Sequence, residues 1–170
     1  MDFQERLERA IERGQRLGNV RAEEEAQRAL TEKELQRLHS QARLELCEHI
    51  ERCLHQLADR FPGFRFETIV DQRGWGAAIS REDLRLRRAG APGNPLTGHG
   101  SRQTCFSRLE MLVSPVSASL ILDLTAKATV CNREIFSRSH YQRLGELDLP
   151  AFTDMIDLWV LEFAERYAAE

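Results

Sequence analysis

The sequence predicts an α+β fold: a long N-terminal helix or helical hairpin, an antiparallel sheet of four to five strands, and a C-terminal helix packed on one sheet face. Three observations carry that expectation. Residues 1–61 keep helical spacing of charge and apolar groups until Phe61-Pro62-Gly63 interrupts it. Pro62 disfavours helical geometry at Phe61, and Gly63 lets the chain turn. Leu120, Leu122, Leu124, Ala126, Ala128 and Val130 then alternate with Asp123, Thr125, Lys127 and Thr129, the mark of a strand with one dry and one wet face. A second helical pattern opens at Pro150, a favoured first-turn residue.

In the N-terminal third, acid-before-base pairs recur four residues apart: Asp2/Arg6, Glu5/Arg9, Glu12/Arg16, Glu24/Arg28 and Glu48/Arg52. Each such pair supports a solvated helix by about 0.2–0.5 kcal/mol. Phe3, Leu7, Ala10, Gly14 and Leu17 follow the alternating four-and-three spacing of a coiled-coil seam, which Arg21 and Glu24 then break. Gly18-Asn19 at that break can end a first helix, with Asn19 capping a second. From Leu46 the apolar face widens to Cys47, Ile50, Cys53, Leu54, Leu57, Ala58 and Phe61, the width of a helix lying on a sheet. Residues 1–41 are therefore expected to form a helical arm with the makings of a short coiled coil, and residues 42–170 an α+β globular domain.

The middle of the chain reads as strands. Phe64, Phe66, Thr68 and Val70 alternate before the turn residues Asp71-Gln-Arg-Gly74. Trp75, Ala77 and Ile79 share one parity and Leu84 and Leu86 the other, which predicts a bulge near Ser80. Residues 88–103 are rich in glycine and proline and are expected to be a loop. Leu109, Met111 and Val113 mark a third strand, and a short fifth is expected around residues 135–138. In the last helix Phe152, Met155, Ile156, Trp159, Phe163 and Tyr167 form the main stripe, and Leu158, Val160 and Leu161 extend it around the circumference. A helix apolar on more than one side needs two neighbours.

Composition narrows the functional classes. With 42% hydrophobic and 30% charged residues, the chain has the balance of a folded rather than a disordered protein. A net charge of -3 gives no electrostatic case for nucleic acid or a membrane surface. No apolar run approaches the roughly 18 residues that cross a bilayer. The opening MDFQERLERAIERG has no secretory pattern, so a cytoplasmic location is expected. The four cysteines, Cys47, Cys53, Cys105 and Cys131, lack CxxC spacing and are expected to be free, inert thiols.

Several residue groups could carry chemistry. Cys47, His49, Cys53 and His55 are all zinc-ligand types, but on a helix they fall at about 0°, 200°, 240° and 80°. Only His49 and Cys53 share a face, and a second helix would have to complete a site for which no partner residues suggest themselves. The loop Thr97-Gly-His-Gly-Ser-Arg102 could form an anion nest, although it lacks a P-loop ending. A ligand site there would be lined by Trp75, His99 and Arg102. Cys105 with His99 or His140 and Asp83 would make a nucleophile only if the fold gathered them. Asp71, Glu82 and Asp83 suit turn and strand-edge positions better than an acidic catalytic pair. Residues 61–110 hold eight basic and five acidic side chains, including Arg81, Arg85, Arg87, Arg88, Arg102 and Arg108, without interleaved stacking aromatics.

Taken together, the residues favour a non-enzymatic interaction module over an enzyme. Its contact residues would be Phe3, Leu7, Ala10, Ile11 and Leu17, and its partners a second copy of the chain and another protein. No catalytic residue, metal or cofactor is expected, and neither nucleic acid nor a membrane is an expected partner. The alternative is a domain, a binding protein or an enzyme, that takes a small molecule or anion between the sheet and the 88–103 loop.

Overall fold

A computed structural model of the chain describes residues 3–86 and 102–170. Helix α1 (Phe3–Arg60) is followed by strands β1 (Arg65–Asp71), β2 (Gly74–Leu86), β3 (Arg102–Val113), β4 (Ile121–Val130) and β5 (Arg133–Arg143). A 3-10 turn (Leu144–Glu146) leads into helix α2 (Leu149–Ala168). The sheet has the order β1-β2-β3-β4-β5, each neighbour antiparallel, so the protein is α+β as the pattern predicts. The chain divides into two compact units, residues 1–38 and 39–170.

The described residues of the first unit, 3–38, are all helical. Of the two arrangements open at Gly18-Asn19, a long helix or a helical hairpin, the structure has the long helix: α1 is continuous for 58 residues. One glycine costs a helix about 1 kcal/mol relative to alanine, too little to end it when Gln15-Arg16-Leu17 lie before the Gly18-Asn19-Val20 step and Arg21-Ala22-Glu23 after it, all good helix formers. Every residue from Phe3 to Glu34 is exposed.

In the second unit Leu46, Ile50, Leu54 and Leu57 of α1 are buried, at the four-and-three spacing of one helix face. That face meets the sheet: the Cys47 thiol donates to the Trp75 carbonyl at 3.5 Å, and the His55 ring stacks on Phe66 at 3.9 Å. Strand β4 repeats buried positions at Leu122, Leu124, Ala126, Ala128 and Val130. Helix α2 buries Phe152, Ile156, Trp159, Val160 and Phe163, with His140 of β5 edge-on to Phe152 at 4.6 Å. Its start is set by Asp148, whose carboxylate accepts from the Ala151 amide at 3.4 Å. The opposite sheet face carries an ion-pair chain in which Arg108 joins Glu67 and Glu110, and Arg73 joins Glu110 and Asp71.

Two glycines allow the β1–β2 hairpin to close on β3. Gly74 has φ +144°, and a Cβ on it would collide with the Val113 carbonyl. A Cβ on Gly76 would meet the Met111 carbonyl in the same way. The Asp71 carboxylate accepts the Arg73 amide at 2.8 Å and fixes the turn.

The strands differ from expectation in three places. No bulge lies near Ser80: the β2–β3 register runs unbroken from Trp75↔Val113 to Leu86↔Arg102. Leu84 changes parity because it faces solvent, with 75% of its surface exposed. The register shift falls instead between Ala128 and Thr129, opposite β5. Strand β5 spans 11 residues where only 135–138 was expected, and among its residues Phe136 alone is buried, so alternation gives no signal there.

The cysteines require a correction. Cys105 and Cys131 form a disulfide, with Cα atoms 4.4 Å apart; only Cys47 and Cys53 are free. Antiparallel pairing of Arg108 with Thr129 carries Cys105 toward the turn after β4. Asn132 locks that turn to β3 by accepting from the Phe106 amide at 3.1 Å and donating to the Thr104 carbonyl at 2.6 Å.

Candidate functional site: a His-Cys-Asp cluster joining the helices

One cluster of chemistry-bearing side chains joins α1 to α2 within the second unit. His49 and Cys53 lie four residues apart on α1 and therefore face the same way. Asp157 of α2 comes to meet them. Its Oδ1 lies 2.7 Å from His49 Nε2 and 3.5 Å from Cys53 Sγ, and the sulfur is 3.6 Å from the same ring nitrogen. The helices hold these groups firmly, because Leu46, Ile50 and Leu54 are buried on one side of the contact and Ile156, Trp159 and Val160 on the other. Cys53 and Asp157 also line the head of a groove of about 880 Å³, continued by Leu57, Phe61, Val160 and Leu161.

The connectivity excludes a catalytic triad. In a triad the acid orients one ring nitrogen while the nucleophile uses the other. Here both Asp157 and Cys53 approach Nε2 of His49. Burial, reinforced by Asp157, pushes the Cys53 thiol up to about 11, the opposite of what an attacking thiolate needs. Cys47 is pushed up to about 11 by burial as well. Cys105 is bonded to Cys131, which removes it as a nucleophile.

Of the sequence constellation Cys47, His49, Cys53 and His55, the structure brings His49 and Cys53 together and sends the other two elsewhere. Cys47 faces Trp75, and His55 faces Phe66. Asp157 is the member that sequence reasoning missed. It lies 104 residues from Cys53, and its own signal was only a polar position beside an apolar stripe.

Trp75 and Arg102, two residues of the alternative ligand site, do not lie together. These residues stand at opposite ends of the β2–β3 ladder, in the pairs Trp75↔Val113 and Leu86↔Arg102. At about 3.3 Å per residue the separation is roughly 36 Å, too far to line one pocket. The Trp75 ring already carries the Arg43 guanidinium 4.1 Å from its centroid. His99 lies outside the described residues, as do Arg87 and Arg88. Arg81 pairs with Asp83 at 2.8 Å, and Arg108 with Glu67 and Glu110, which commits their charge within the chain. Asp71 likewise binds Arg73, as a turn residue.

The interface candidates fall in the first unit. Phe3, Leu7, Ile11 and Leu17 retain between 48% and 72% exposure, and Ala10 is exposed.

His39, which sequence reasoning did not single out, is a buried titratable group. Its Nε2 donates to the Ser114 carbonyl at 3.1 Å, since a carbonyl only accepts. Burial lowers its pKa; the Ser114 bond opposes that shift, and the Arg43 charge adds to it. The unfolded chain then binds the proton more readily than the folded one. His39 thus contributes full stability above its ordinary value of about 6.5, and that contribution is lost as pH falls from there through the folded-state value. The urea midpoint is expected to drop between neutral and mildly acidic pH, and to drop less in His39→Gln. Parallel pH profiles for the two proteins would refute this role.

The fold and this cluster define an α+β protein with a two-helix, one-sheet core. Comparison with protein-family models, curated proteins and solved structures finds no match. None of the described helices is long and apolar enough to cross a membrane.

Proposed function

We propose that the chain is a non-enzymatic protein–protein interaction module, of the adaptor, chaperone-like or assembly kind, which associates through its N-terminal helix. The first partner is a second copy of the chain, in a homodimer with a short coiled-coil seam. The observation that carries this reading is the run from Phe3 to Glu34, in which every residue is exposed although Phe3, Leu7, Ile11, Leu17, Val20 and Leu30 are large and apolar. Helices in water owe most of their stability to packing an apolar face, and a contiguous exposed one marks an interaction surface.

The glycines point the same way. Ala10, Gly14 and Gly18 follow one another at four-residue steps, and a Cβ added at either glycine meets nothing within 4 Å. Nothing in the packing of the described residues calls for them, and each costs the helix about 1 kcal/mol relative to alanine. Close approach of another backbone is the usual use of such residues.

The ion-paired Arg81 and Arg108 offer nucleic acid little, which supports a protein as the partner. Cytoplasmic residence would mean that Cys105 and Cys131 stand there as a dithiol rather than the disulfide of this structure, because cytosolic glutathione keeps such pairs reduced. Sedimentation equilibrium over a wide concentration range tests the homodimer. A reversible monomer–dimer equilibrium is expected; a monomer at every concentration would end this reading.

A further inference from the structure

We propose that His49, Cys53 and Asp157 form a three-ligand site for a borderline-soft divalent cation, zinc foremost, with its fourth coordination position open to the groove between α1 and α2. This site is independent of association through the N-terminal helix.

The three ligand atoms, one nitrogen, one sulfur and one oxygen, lie within 4.8 Å of one another. Zinc–sulfur bonds of about 2.3 Å and zinc–nitrogen or –oxygen bonds of about 2.0–2.2 Å give tetrahedral edges of about 3.5–3.6 Å from sulfur to either light atom. The observed edges are 3.6 Å to His49 Nε2 and 3.5 Å to Asp157 Oδ1. The third edge, at 2.7 Å, is shorter than the roughly 3.4 Å of a metal tetrahedron because a shared proton spans it. Opening it requires movement of a single side chain, that of Asp157, which is 52% exposed. The helix backbones stay where their buried neighbours hold them.

The donor set also selects the ion. Magnesium and calcium take oxygen ligands, whereas a thiolate with an imidazole and one carboxylate suits zinc and its neighbours. Binding forms the metal–sulfur bond as the Cys53 thiol proton passes to solvent. The proton held between His49 Nε2 and Asp157 Oδ1 leaves that edge as well, moving to Nδ1 of a neutral ring or to solvent from a doubly protonated one, so that Nε2 and Oδ1 are both free to bind the cation. Three protein ligands leave one position for water, and Cys53 and Asp157 at the groove head place that position next to Leu57 and Val160.

Cobalt(II) is the probe, added to the intact chain without reductant so that Cys105–Cys131 stays closed. One equivalent is expected to produce a thiolate-to-cobalt charge-transfer band, with visible bands of four-coordinate intensity that one equivalent of zinc bleaches. Cys53→Ser is expected to lose the charge-transfer band, while Cys47→Ser keeps it. Asp157→Asn replaces an exposed side chain, so it tests the site even if Cys53→Ser fails to fold. Its affinity is expected to fall at least about tenfold, since even supporting groups around a metal are worth about that much. No charge-transfer band in the parent chain, a band that persists in folded Cys53→Ser, or a smaller loss in Asp157→Asn would each overturn the site.

Discussion

Replacing Leu7 and Leu17 together by glutamate is expected to abolish self-association of the intact chain while leaving its urea midpoint unchanged. Both leucines are exposed, so little intrachain packing is lost with them. Glutamate is a good helix former, and circular dichroism should show the same helix content. In a two-fold pair the substitutions remove four leucines from the seam and place four like charges there. Fully burying a leucine is worth about 1.5–3 kcal/mol, and a seam realises only part of that because association also costs motional freedom. Even a loss of about 4 kcal/mol would weaken the dimer roughly a thousandfold. Sedimentation velocity of the two proteins at equal concentration decides the matter. If the variant dimerises like its parent, the N-terminal seam plays no part in assembly.

The fold class was legible because it rests on long, periodic segments. The α1 stripe from Leu46 to Leu57, the β4 alternation and the Asp148-Leu149-Pro150 start of α2 are local signals, and the core lies where they place it. Local signals misled where context outweighs them. Gly18-Asn19 is a breaker pair that a sufficiently good helix absorbs, and Leu84 is an apolar residue that faces water without needing a bulge. The candidate cluster was half legible. The four-residue step from His49 to Cys53 could be read from the chain, but Asp157 is brought to them by packing between helices far apart in sequence. The disulfide has the same character. Cys105 and Cys131 are 26 residues apart, and only the β3–β4 register makes them neighbours.

Truncating Phe152 to alanine is expected to cost about 3–5 kcal/mol, whereas Trp159→Phe, at an equally buried position on the same helix, should cost under about 1 kcal/mol. Phe152 is 0% and Trp159 1% exposed, so surface area alone ranks the tryptophan as the more valuable side chain. Phe152 has no polar atom and packs edge-on to His140; its removal leaves a cavity beneath α2 with nothing to offset the loss. The Trp159 indole Nε1 is buried and has no hydrogen-bond partner among the described residues. A buried donor without a partner costs about 1–3 kcal/mol, and phenylalanine removes that penalty along with part of the ring. The smaller ring gives up roughly 1–2 kcal/mol of burial and contact, so the two changes nearly cancel. A typical domain holds only about 5–15 kcal/mol in total, which makes Phe152→Ala close to unfolding under mild conditions. Urea titrations followed by circular dichroism measure both. If Trp159→Phe proves as damaging as Phe152→Ala, the indole N–H is satisfied in solution and this account of the α2 core fails.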